Sequence, residues 1–152
     1  MSNSYTQFSF AMPVKGLKAK AWINRMIDKI VEASNADTEE PGDEILELFP
    51  DWEHYLDCGF RTEMEPTPGK RNQFELVIFA EESGNVEHAA NFAQAILKRF
   101  DPKGVVGFQW ADTSDRATQD SFGGGAALVT ATSTKFMSSY AWLERELKKL
   151  KK

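Results

Sequence analysis

The run QFELVIFAE (Gln73–Glu81), SGN (Ser83–Asn85) and VEHAANFAQAILKRF (Val86–Phe100) decides the fold class. In its first part Phe74, Leu76, Ile78 and Ala80 alternate with Glu75, Val77, Phe79 and Glu81, the period of a strand with one buried face. In its last part Val86, Ala89, Ala90, Ala93, Ile96, Leu97 and Phe100 recur at helical spacing. The period changes across Ser83-Gly84-Asn85, where Asn85 is suited to cap the helix. Asp101-Pro-Lys-Gly104 carries the stop signals.

Upstream, residues Leu56 to Glu65 read as a strand. Leu56, Cys58, Phe60 and Met64 point one way; Asp57, Arg61, Glu63 and Glu65 point the other. The loop Pro66-Thr-Pro-Gly-Lys-Arg-Asn72 makes this strand and Gln73–Glu81 a hairpin. The first strand has Phe8, Phe10, Met12 and Val14 alternating with Ser9, Ala11 and Pro13, and Pro13 belongs near its end. After Gly16, Leu17, Ala21, Trp22, Met26, Ile27, Ile30 and Val31 predict a helix to about Ser34. A short helix capped by Asp43 carries Ile45, Leu46, Leu48 and Phe49 and stops at Pro50.

Downstream, Val105–Ala111 reads as a strand with Val106, Phe108 and Trp110 on one face. Asp112 to Ser121 is polar, and Phe122-Gly-Gly-Gly125 leads into a strand over Ala126–Thr132. Ser133 or Thr134 then caps a helix to Leu150 carrying Met137, Tyr140, Leu143, Leu147 and Leu150. The main elements run β-α-β-β-α-β-β-α. The first six match the split β-α-β pattern, so the expectation is an α+β, ferredoxin-like sandwich extended by a C-terminal strand and helix.

The chain has 152 residues, 41% hydrophobic and 27% charged. That suits one domain over residues 1–152 and a core that needs no disulfide or metal. A net charge of −5 argues against direct nucleic-acid binding, whose affinity comes mainly from phosphate contacts. A single cysteine, Cys58, reads as a small buried hydrophobe and fits a reducing compartment. Met1-Ser-Asn-Ser-Tyr-Thr-Gln7 lacks the pattern of a signal peptide, and no apolar run would span a membrane. The expectation is a cytoplasmic protein.

No metal, cofactor or catalytic residue is indicated. His54 and His88, the two histidines, stand in no metal-ligand pattern, and each reads as a surface or helix-start histidine. No nucleophile elbow or Cys–His signature is present. An RNA-binding sheet would need outward aromatics; Phe79 alone has that parity, beside Glu75 and Glu81.

Two stretches are candidates for binding. The first is the acidic connection at about residues 35–57. It holds Asp37, Glu39, Glu40, Asp43, Glu44, Glu47, Asp51, Glu53 and Asp57, with no Lys or Arg. With an exposed Trp52 among them, these acids could dock on a basic, partly apolar protein, and such complementarity steers association. The second is the loop 112–125. There Asp112, Asp115 and Arg116 stand near Gly123, Gly124 and Gly125, whose amides could receive a phosphate. The glycines lead into a strand rather than a helix, so the competing reading is a bulge or a close approach to a ring such as Trp110.

Gly107-Phe-Gln-Trp-Ala111, Phe122-Gly-Gly-Gly-Ala-Ala-Leu-Val-Thr-Ala131 and Trp142-Leu-Glu144 resemble small hypothetical proteins of phages and bacterial mobile elements. The resemblance covers about the C-terminal third. It implies a setting and supplies no activity or site residue. The leading expectation is a protein-binding module that occupies a host protein through its acidic surface, as a nucleic-acid mimic does. The alternative is a small-ligand or nucleotide-binding domain, or an enzyme, at the 112–125 loop. A third is self-assembly as a homo-oligomer through the edge strand and last helix.

Overall fold

The structure is a computed structural model; it describes residues 4–35, 42–52, 58–115 and 122–151. The described elements are β1 (Ser4–Lys15), α1 (Leu17–Asn35), α2 (Asp43–Leu48), β2 (Arg61–Pro66), β3 (Gln73–Ala80), α3 (Val86–Phe100), β4 (Val105–Ser114), β5 (Gly123–Thr130), β6 (Thr134–Ser138) and α4 (Ser139–Leu150). Six strands form one antiparallel sheet in the order β2-β3-β1-β4-β5-β6. With four helices, the fold is mixed α+β.

The alternation in β1 puts Phe8, Phe10, Met12 and Val14 in the core. Opposite them in β3, Leu76 and Ile78 are fully buried, with Met12 paired to Leu76 and Phe10 to Ile78. Phe108 of β4 stacks on Phe10, with ring centroids 4.2 Å apart. From α3 come Ala89, Ala90, Phe92, Ala93, Ile96 and Leu97. Asn85 caps that helix as expected: its side chain accepts the His88 N–H. The other face of the sheet is exposed at Ser9, Ala11, Gly107, Gln109, Ala126 and Leu128.

Four expectations change. The buried stripe of α1 is Ala19, Ile23, Met26 and Ile30, while Leu17, Ala21 and Val31 are exposed. The true stripe follows the strict i, i+4, i+7 rows, and the broader apolar set includes positions beside it. Regular pairing in β2 begins at Arg61, although Cys58 and Phe60 are buried as their parity predicts. Leu56 and Asp57 lie outside the described residues. Gly42, not Asp43, occupies the α2 N-cap, and Asp43 sits in the first turn. There its charge favours the positive end of the helix without a cap bond.

The largest change is near the C-terminus. Thr134–Ser138 is a strand pairing with β5, so the helix begins five residues later. Ser138 is the cap, accepting the Ala141 N–H. Ser133 instead bonds back to Thr130 in the β5–β6 turn. Thr-Lys-Phe-Met-Ser has strand propensity, and the free edge of β5 gives its backbone a partner.

Candidate functional site

α2 places the described acids. Its Ile45 and the following Phe49 are buried and pin the segment to the core. That leaves Asp43, Glu44 and Glu47 on the wet side. They do not form a purely acidic face. Glu44 accepts a 2.8 Å hydrogen bond from Lys29 Nζ and lies 3.6 Å from Arg25, both on α1. The Lys29 bond holds the Glu44 carboxyl below the usual carboxylate range. Glu44 and Glu47 border a groove of about 620 Å³ that also receives Trp22, Arg25, Lys98 and Arg99. Arg25 and Lys29 of α1 thus pair with Glu44, and Lys98 and Arg99 of α3 line the same groove. Asp37, Glu39, Glu40 and Glu53 lie outside the described residues.

Asp51 and Trp52 join a buried histidine. His88, in the first turn of α3, is 6% exposed. Its Nδ1 is 2.8 Å from the Cys58 carbonyl oxygen and its Nε2 is 3.0 Å from Asp51 Oδ1. Each nitrogen faces an acceptor, so a ring protonated on both makes both bonds and a neutral ring makes one. The bond from His88 holds the Asp51 carboxyl below its usual range. Phe49 lies 4.5 Å from the imidazole by centroids, and Trp52 lies parallel to it within 8°. Trp52 is therefore half-buried rather than the exposed anchor expected. His88 stands at a helix start, one of its two expected settings, but it is buried there rather than on the surface. The signal was its place four residues before Phe92 and eight before Ile96, on the face that the helix buries. His54 lies outside the described residues.

The second candidate is largely structural. β4 extends to Ser114 and β5 starts at Gly123, so the expected loop is shorter and Asp112 pairs with Gly123 inside the sheet. Asp112 accepts from Thr6 Oγ1 at 2.9 Å and from Trp110 Nε1 at 3.3 Å, tying β1 to β4. Two of the three glycines, Gly124 and Gly125, make room. A Cβ on Gly125 would meet Trp110 ring carbons at 2.6 Å and the Met137 carbonyl, while Gly124 has φ +144°. These are the close approaches of a strand to an indole, not a phosphate cradle leading into a helix. Asp115 ends this region, and Arg116 lies outside the described residues.

The most conspicuous surface is α4. None of its residues is buried. Tyr140, Leu143, Leu147 and Leu150 are 72%, 51%, 47% and 82% exposed. The helix overlies a cleft of about 410 Å³ lined by Trp110, Phe136, Trp142 and Arg145. Phe136 and Met137 on the adjoining edge strand are also exposed.

Among the described residues, no three His, Cys, Asp or Glu side chains gather as metal ligands, and no helix is long and apolar enough to cross a membrane. No family model, curated protein or solved structure matches the chain.

Proposed function

We propose that this protein is a protein-binding module on a ferredoxin-like frame, with α4 as its contact. The frame reading is supported by the order β2-β3-β1-β4. In it the hairpin β2–β3 and the strand β4 flank β1, with α1 and α3 as the connections between strands. β5, β6 and α4 extend this frame beyond β4.

One observation carries the binding reading: α4 is amphipathic and buries none of its residues. A 12-residue helix is marginal alone in water and draws its stability from the face it covers. A partner that takes up the Tyr140–Leu150 stripe supplies that cover. An apolar patch of this kind is characteristic of an interaction surface.

A phage or mobile-element setting, with a basic host protein as partner, would use the acidic connection instead of α4. The acidic connection would contribute Asp43 and Glu47, with Asp37, Glu39, Glu40 and Glu53. It is the lesser of the two surfaces, because Glu44 and Asp51 are engaged internally and Arg25, Lys98 and Arg99 stand beside it.

The test is a photo-reactive residue in place of Glu144, irradiated in a cell lysate. The reading expects a discrete protein adduct that disappears with Leu143→Glu and Leu147→Glu. An unmodified chain, or an adduct indifferent to those substitutions, refutes α4 as the contact.

A further inference from the structure

We infer that α4 pairs side by side, in the same direction, with α4 of a second copy of this chain. This rests on α4 being the binding face and names its partner.

The spacing of the exposed stripe carries the inference. Tyr140, Leu143, Leu147 and Leu150 are separated by three, four and three residues. That is the alternation of the two seam positions in paired helices, over the eleven residues Tyr140–Leu150. The seam also matches itself in chemistry: both sides offer Tyr and Leu, and leucine falls at the position favoured in two-stranded parallel pairs.

The flanking charges set the direction. Glu144 and Lys151 follow the two leucines at the second seam position, and Glu146 precedes Leu147. With both helices running the same way, Glu146 of one copy faces Lys151 of the other, and the twofold axis repeats the pair. With helices opposed and the same layers in contact, Glu144 and Glu146 would each approach their own counterparts. Within one copy these glutamates already lie near Lys148 and Lys149 on the outer side, at 3.9 and 3.1 Å.

The surface is small. The four stripe residues leave roughly 500 Å² exposed, less than the ~800 Å² each partner gives a standard interface, so the pair is of the weak, reversible kind. Lys135, inside the short edge strand β6, opposes direct edge-to-edge sheet pairing, which leaves the helix as the contact.

Sedimentation equilibrium of the full chain, from low to high micromolar, tests this. The expected result is a reversible rise from the 17.1 kDa monomer to twice that mass. Leu143→Glu with Leu147→Glu should weaken association by ~100-fold or more. Its melting at low concentration should match wild type, because neither side chain is buried. Lys151→Glu alone should weaken the dimer severalfold, and adding Glu146→Lys should restore it. A wild-type monomer at the highest concentration overturns the inference, as does a dimer indifferent to the leucine substitutions. Failure of the charge swap to restore association overturns the shared direction. A monomer whose residue-144 crosslinker still captures a different protein refutes only the second copy; a monomer with no adduct ends both readings.

Discussion

Replacing His88 by alanine should destabilise the fold by about 3 kcal/mol. The ring is 6% exposed and fills space beside Phe49 and Trp52. Emptying it costs less than truncating a buried phenylalanine, so we assign about 2 kcal/mol to lost packing. The 2.8 Å bond to the Cys58 carbonyl adds about 1 kcal/mol. The bond to Asp51, made together with the first only by a ring protonated on both nitrogens, adds least, under about 1 kcal/mol, because the Asp51 side chain is 64% exposed and water screens the pair. In a domain of this size each kcal/mol moves the melting temperature by roughly 2–4 °C, so the expected drop is about 6–12 °C. Urea unfolding at neutral pH, followed by tryptophan fluorescence and far-UV circular dichroism, measures it. Asp51→Asn serves as the control that removes only the charge of the outer partner, since its amide oxygen can still accept from His88. A His88→Ala variant within ~0.5 kcal/mol of wild type would refute the argument. So would an Asp51→Asn variant as damaged as His88→Ala, since the ranking rests on exposure.

Three further outcomes follow from the same geometry. The folded Asp51 carboxyl is held below its unfolded value, so its share of stability is complete above about pH 4 and disappears as pH falls through the folded value. Asp51→Asn should therefore flatten the acid limb of the stability–pH curve; an unchanged limb contradicts the bond to His88. Gly125→Val should cost at least about 3 kcal/mol in urea unfolding, because both the Trp110 ring and the Met137 backbone stand where the side chain must go. A well-folded Gly125→Val chain would restore the ligand-loop explanation of the glycines. Thr6→Val should cost about 1 kcal/mol by removing the 2.9 Å bond to Asp112 that joins β1 to β4. Thermal melting within experimental error of wild type would show that this bond contributes nothing.

The parts of the fold legible in the sequence are those with a clean period. β1 and β3 alternate over seven and eight residues, and α3 has a cap, a stripe and a stop signal. β6 was hidden because five residues, Thr134 to Ser138, show no alternation strong enough to compete with the helical pattern that follows. Its strand state depends on β5 offering an edge, a tertiary fact. The acidic connection misled in the same way. Counting charges along the chain cannot register Arg25 and Lys29, which reach Glu44 from α1. The glycines show the reverse: steric reasoning about Trp110 accounts for Gly125 from the sequence. The apolar residues of α4 were legible as a stripe, but their exposure was not, since periodicity identifies a face and not what covers it.

The strand order has a consequence for synthesis. β1 is made before the other described strands, yet it lies between β3 and β4, and its bond from Thr6 to Asp112 closes a separation of 106 residues. Phe8, Phe10 and Met12 must therefore emerge long before one of their flanking strands exists. A chain stalled before Val105 has β1 open along its β4 side, an apolar edge ready to pair with any other strand. Completion of β4 is the event that ends this exposure, and the sheet can reach its final order only after β4, β5 and β6 have left the ribosome.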